Sequence, residues 1–311
     1  MSPILAAALA FSVGLSATSP APALPQYARG YVRSARRAVA VPPPPPALPP
    51  KSELELLRDL PDDVDWSGNA TTKVRDQGAC ASSWAYATIA GVESSLFMQT
   101  GALPPPLSTE ELVACDAFGA NAGCAGGDIP PALAFLKENQ VTTDEQYPDD
   151  SSRSGATPKK CAWARGIGVV ANVTAWKAAV PLCDQGDCSG KLQELKLAAA
   201  LVDNGPISVC VNSGMNQPGS DWANINYTGG VLQKPGLAKA NLIDHCVQLV
   251  GFDRMAKPPY WKLRNSWGAK WGEGGFIRIP FLDNNACCVT CEAFLINAVQ
   301  LPPPPPPPLS T

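Results

Sequence analysis

Three residues far apart in the chain have the types needed for nucleophilic acyl transfer: Ser83, His245 and Asn265. Chemistry of this kind needs a nucleophile, an imidazole base and a polar group that orients the imidazole. In its cysteine form the nucleophile works from a helix N-terminus, where backbone N–H groups favour negative charge. Ser83 lies in "QGACASSWAY" (Gln77 to Tyr86), directly before Trp84. His245 is the sole histidine, follows Asp244 and opens an apolar run. Asn265 comes twenty residues later, in "LRNSWGAKWGEGGFIRI". A lone histidine is more often a structural hydrogen bonder. Its order with Ser83 and Asn265 gives it weight.

These residues need elements to hold them. Ser83 to Thr100 shows helical apolar spacing (Trp84, Ile89, Val92, Leu96) and stops at Gly101. Ser108 is placed to cap a short helix, with Glu111 in the capping-box position. Further helices are expected over residues 129–138 and 191–203, the second halted by Gly205-Pro206. The second half reads as strands: "ISVCVN", "DHCVQLVGF", "YWKLRNSW", "GFIRI" and "AFLINAV". A helical half followed by a stranded half predicts an α+β protein with two lobes.

With 311 residues the chain can bury a large core. A net charge of -3 speaks against nucleic-acid and anionic-membrane partners. The charge is unevenly spread: residues 1–52 hold no acid but carry Arg29, Arg33, Arg36, Arg37 and Lys51. The apolar run Ile4 to Leu15 is too short to span a bilayer, and small residues follow it. Residues 1–23 therefore read as a secretory signal peptide, with an organellar transit peptide as the alternative. Eleven cysteines and the sequons at Asn69, Asn172 and Asn226 fit an oxidising compartment. Proline tracts at Pro42 to Pro46 and Pro302 to Pro308 form stiff spacers or, alternatively, docking ligands. The folded unit is expected over residues 60–300, with a short pro-region at 24–59 and a tail at 301–311.

Taken together, "DVDW", "QGACASSWAY", "GCAGGD", "QYP", "GPISVCVN", "YTGGV", "DHCVQLVGF" and "NSWGAKWGEGGFIRI" resemble the papain family of cysteine peptidases, in family order. The resemblance implies a helical lobe to about residue 170, a β-barrel-like lobe from about 171, and a cleft between them. It implies Gln77 and the Ser83 N–H as oxyanion donors, His245 as base and Asn265 as its orienter. Trp267 would shield the His–Asn bond. Gly126 and Gly127 would pair with an extended peptide. Asp244, Cys210, Cys246 and Glu292 would face the substrate, the two cysteines as small apolar walls of a pocket and Glu292 at its floor. The alternative for Glu292 is a surface position just past the last cysteine. The implied disulfides are Cys80–Cys124 and Cys115–Cys161. Cys183 and Cys188 could close a local loop, while the pairing of Cys287, Cys288 and Cys291 stays open.

The departures from the family matter. Ser83 stands where the family has its nucleophilic cysteine, and Ala81 where it has glycine. The long helical pro-segment of the cathepsin L-like branch is missing. A thiol beside imidazole and a helix start ionises with a pKa near about 3–4, whereas a hydroxyl does not. Two readings follow: a weak peptidase working through Ser83, or a pseudoprotease whose cleft binds peptides or inhibitors without cutting. Either reading calls for no cofactor and no metal, a peptide or protein partner, no integral membrane segment once the signal is removed, a secreted or lysosome-like location, and a monomer.

Overall fold

The computed structural model describes residues 28–32, 51–116, 121–162, 169–183, 188–215 and 217–302. The expected signal peptide, Pro42 to Pro46 and Pro303 to Pro308 lie outside the described residues.

Helix α1 (Glu53–Asp59) opens on a capping box, with Ser52 Oγ and the Glu55 carboxylate each accepting from the other's backbone N–H. Its Leu56, with Leu60, joins an apolar cluster that includes Leu197 and Leu201. The packed unit therefore begins upstream of Leu60. Strand β1 (Asp63–Asp65) follows.

Helix α2 (Ser83–Thr100) is buried on almost every side and ends at Gly101 in the left-handed conformation. Apolar and small residues encircle it, as a helix run through the middle of a core requires. Helix α3 (Glu110–Cys115) begins two residues after Ser108, whose Oγ accepts from Glu111 N at 3.1 Å. The expected capping box does not close. The Glu111 carboxylate turns inward and accepts from Thr142 N at 3.0 Å, while Ser108 N donates to the Thr142 carbonyl. Burial pushes the Glu111 carboxyl up to about 8. Helix α4 (Ile129–Asn139), capped by Asp128, is followed by β2 (Val141–Thr142), the single turn α5 (Ser151–Ser154) and β3 (Val169–Ala178). Helix α6 (Lys191–Asn204) leads into the strands β4 (Ile207–Val211), β5 (His245–Asp253), β6 (Tyr260–Arg264), β7 (Phe276–Pro280) and β8 (Glu292–Gln300).

All eight strands form one antiparallel sheet, ordered β2-β3-β8-β4-β5-β6-β7, with β1 on β5. The register sets Cys210 opposite both Cys246 and Glu292, and Val211 opposite His245. Helix α2 lies against β4, β5 and β8. Ser208 Oγ donates to the Ala87 carbonyl at 2.7 Å, and Gln248 Nε2 to the Ala90 carbonyl at 2.9 Å. These bonds pin the helix that Ser83 starts to β4 and to β5, the strand that His245 starts.

Ten cysteines pair: Cys80–Cys124, Cys115–Cys161, Cys183–Cys188, Cys210–Cys246 and Cys288–Cys291, leaving Cys287 buried as a thiol. Cys210 and Cys246 are thus not two separate thiols lining a pocket. They face each other across β4 and β5 with Cα atoms 4.0 Å apart, close enough to bond. Each bridge contributes about 2–4 kcal/mol by restricting the unfolded chain.

Candidate active site

Ser83 is the first residue of α2, in the turn tied down by Cys80–Cys124. His245 starts β5, and Asn265 follows directly on β6. His245 Nε2 and Asn265 Oδ1 lie 2.8 Å apart. Asn265 Oδ1 also accepts from Ser266 N at 2.8 Å, which fixes the amide's orientation. The Trp267 ring lies 4.8 Å from the imidazole at 33°, and Trp222 meets it edge-on at 6.2 Å. The aromatic pair covers the ring, so the His245–Asn265 bond is screened from water.

Ser83 Oγ makes no hydrogen bond to the imidazole. It accepts from Cys246 N at 3.1 Å, and His245 Nδ1 has no hydrogen-bond partner. Both residues are fully buried. Burial drives the His245 pKa down to about 3; the bond to Asn265 opposes this and the nearby Arg29 charge adds to it. The ring is therefore neutral at pH 7.

The cover over these residues is the segment Ala28–Val32. Gly30 and Tyr31 donate their N–H groups to the Asp244 carbonyl, at 3.4 and 3.2 Å. Gly127 N donates to the Gly30 carbonyl at 2.9 Å, and Val32 N to the Gly127 carbonyl at 3.0 Å, as a parallel bridge. Gln77 Nε2 donates to the Arg29 carbonyl at 3.1 Å and to the Cys80 carbonyl at 3.0 Å. Its Oε1 accepts from Ser266 Oγ at 2.5 Å. Trp267 Nε1 donates to the Ala28 carbonyl at 2.9 Å. A Cβ at Gly30 would come 2.3 Å from the Ala81 carbonyl oxygen and 2.8 Å from Ser83 N, so only glycine fits there. A Cβ at Gly126 would strike the Val32 side chain at 2.4 Å, and Gly126 holds φ +114°.

The two ends of the segment are gripped by side chains. Tyr31 OH donates to Glu292 Oε1 at 2.8 Å. Glu292 is buried, and one of its carboxylate oxygens, one of Asp128 and the Cys210 sulfur all lie within 4.8 Å of one another. At the other end Arg29 meets Ser213 and Asp221. The geometry thus gathers Gln77, Ser83, Gly126, Gly127, Asp244, His245, Asn265, Trp267 and Glu292 along one groove. The implied pairs Cys80–Cys124 and Cys115–Cys161 brace its helical side.

The family model described as "Papain family cysteine protease" matches residues 60–296. The chain belongs to the papain family. It is 33% identical over 257 residues to cysteine proteinase 15A of Pisum sativum, covering 78% of this chain and 63% of that protein. It is also 33% identical over 244 residues to human cathepsin L2, covering 76% of this chain and 66% of that protein. The match thus spans a little under two thirds of the pea relative's length. Among solved structures, digestive procathepsin L 3 of Tenebrio molitor superposes with a TM-score of 0.66 at 26% identity, over 88% of this chain and 77% of that one. The fold expected from the resemblance, α+β with two lobes, is the papain fold.

Sequence reasoning missed Arg29, Tyr31, Asp128, Ser213 and Asp221. Only the charge contrast between the acid-free leader and the acidic remainder hinted at Arg29. Asp128 closes the "GCAGGD" motif, directly after Gly126 and Gly127. The sequons differ in access: Asn69 and Asn226 are exposed, whereas Asn172 sits half-buried in β3 with its Oδ1 inside. The cysteine sulfurs that approach each other at Cys183, Cys188 and Cys291 all belong to disulfides.

Proposed function

We propose that this papain-family protein binds peptides in its cleft and that Ser83, standing in the nucleophile position, supports little or no turnover. The observation that carries the reading is the Ser83 hydroxyl itself. It is engaged by the Cys246 amide and makes no bond to the unpartnered His245 Nδ1. A serine must hand its proton to the base during attack, because the field of a helix start cannot ionise a hydroxyl in advance. An Oγ held by the Cys246 N–H must first gain a bond to His245 that it does not make here. Loss of a nucleophile leaves about 10³–10⁴-fold catalysis over water from binding and oxyanion donors.

The weak-peptidase reading keeps one specific support. The His245–Asn265 bond and its Trp267 cover are arranged as a base and its orienter would be. Residues 24–59 then act as a short pro-region and residues 1–23 as a signal for secretion or a lysosome-like compartment, with five disulfides in keeping with an oxidising environment. No helix among the described residues is long and apolar enough to cross a membrane.

Ser83→Cys tests the reading. The thiol should form a thiolate–imidazolium pair once the segment is displaced, react with a thiol-directed epoxide, and raise peptide hydrolysis by about 10³-fold or more. A correctly folded Ser83→Cys protein with no gain would show that the missing thiol is not the main defect.

A further inference from the structure

Main-chain contacts hold Ala28–Val32 to Gly127, Asp244 and Gln77, and they would hold any extended peptide. What is particular to this sequence lies in two side chains, Arg29 and Tyr31. The Arg29 site is built from three groups. Asp221 pairs with one guanidinium nitrogen. Ser213 Oγ accepts from Nε at 2.9 Å, and Asp244 Oδ2 lies 4.0 Å from Nε.

The acids are positioned without help from the arginine. Asp244 is 5% exposed and accepts from Ser213 N at 2.7 Å and Met215 N at 3.0 Å. Asp221 accepts from Ala223 N at 3.0 Å and Asn224 Nδ2 at 2.8 Å. Ser213 is fully buried. Two carboxylates fixed in advance, one of them deep, make a site that is costly to leave empty of positive charge. A planar guanidinium with several donors fills such a site better than an ammonium.

We infer that the cleft carries a guanidinium pocket, formed by Asp221, Asp244 and Ser213, which selects peptides with an arginine beside the residue that faces Ser83. The inference rests on the reading of the cleft as a peptide groove. The segment Ala28–Val32 shows the pocket filled in cis. A peptide from another chain would use the same main-chain contacts and the same acids once the segment leaves.

Two experiments on the full-length chain test this, and neither depends on turnover. The first measures amide exchange at Tyr31 and Val32. Arg29→Ala and Asp221→Asn should each speed exchange by about tenfold, the double variant no more than either single one, and Arg29→Lys should keep part of the protection. The second uses the Arg29→Ala, Gly30→Val double variant, in which the chain's own segment no longer fits. A fluorescent Ala-Arg-Gly-Tyr-Val peptide should bind at least about tenfold more tightly than its citrulline analogue, which keeps the shape and loses the charge. Equal binding of the two peptides, or binding of neither, overturns the pocket. Unchanged exchange in both single variants overturns its hold on Arg29. The peptidase reading stands or falls separately, on the turnover of Ser83→Cys.

Discussion

The centre of the cleft and its two ends are held in opposite ways. At the centre, His245 Nδ1 and Asn265 Nδ2 are buried without partners, and Ser83 Oγ bonds to a backbone amide. At the ends, charged and phenolic groups from the N-terminal segment meet acids: Arg29 with Asp221, and Tyr31 with Glu292. Buried polar atoms left unpaired cost free energy, so a fold keeps them where something else requires them. The contrast separates two regions of the cleft: ends where the segment's side chains meet acids, and a centre whose polar atoms the segment leaves unpaired.

The largest expected break of this contrast comes from Gly30. Valine there would drive a side chain into the Ala81 carbonyl and the Ser83 amide, both backbone groups that cannot turn aside. Overpacking of this kind costs about 1–3 kcal/mol, so the amides of Tyr31 and Val32 should exchange roughly ten- to a hundredfold faster. Hydrogen exchange read by mass spectrometry measures it. Protection unchanged in Gly30→Val would mean that the ends alone hold the segment.

Acid gives the next effect, and it acts at the centre. Burial holds the His245 pKa at about 3 against an ordinary 6.5, so the closed cleft binds less proton than the open one. Closure is fully favoured above pH 6.5 and weakens as the pH falls toward 3. Arg29 opposes a charged ring in the closed state and withdraws on opening, which adds to the trend. Asp244, raised by burial, works against it, because its protonation favours the closed state. The His245 shift is the dominant one, so exchange at Tyr31 should speed up about tenfold or more between pH 7 and 4.5, after correction for intrinsic rates. His245→Gln should flatten that dependence. A profile that stays steep in His245→Gln would place the sensing group elsewhere.

What could be read from the sequence followed how local each signal was. Helix α2 was legible because its apolar spacing and its Gly101 stop lie within one stretch. Strands β4 to β8 were legible as β-branched or aromatic runs between breakers. Strand β3 was not, although it spans ten residues. Its alternation is broken by a register shift between Val173 and Ala175, and its partner β8 begins more than a hundred residues later. Helix α1 was missed beside the proline tract, even though Ser52 and Glu55 form the capping pattern that could have revealed it. His245 and Asn265 stood out by order and uniqueness. The Cys210–Cys246 bond did not, because it depends on cross-strand register. Nothing in "ARGYV" announces a stretch that fills a cleft; its contacts reach residues from Gln77 to Glu292.

The smallest effect concerns the Glu292 end, where the contrast can be sharpened into specificity. The sequence suggested an apolar pocket with an acid at its floor. The structure places Glu292 opposite Cys210, buried, with an Asp128 carboxylate oxygen close by and the Cys210–Cys246 bridge as wall. Two acids side by side repel unless a donor stands between or a cation pairs with them. The Tyr31 hydroxyl supplies a donor to Glu292 at 2.8 Å. A guanidinium would supply charge as well and could bond bidentately. In the Ser83→Cys protein, peptides with arginine in this pocket should therefore outpace lysine and leucine peptides, by roughly fivefold for a partly hydrated pair. Glu292→Ala should remove the arginine advantage and keep leucine. It should also loosen Tyr31 in the parent chain by about 1 kcal/mol, the worth of one hydrogen bond. Asp128→Asn should reduce the arginine advantage less, because the amide oxygen still accepts from Ile129 N as the carboxylate does at 2.7 Å. An arginine-to-leucine ratio unchanged in both variants would show that the pocket reads shape alone, and the cleft would then keep a charge preference only at the Asp221 end.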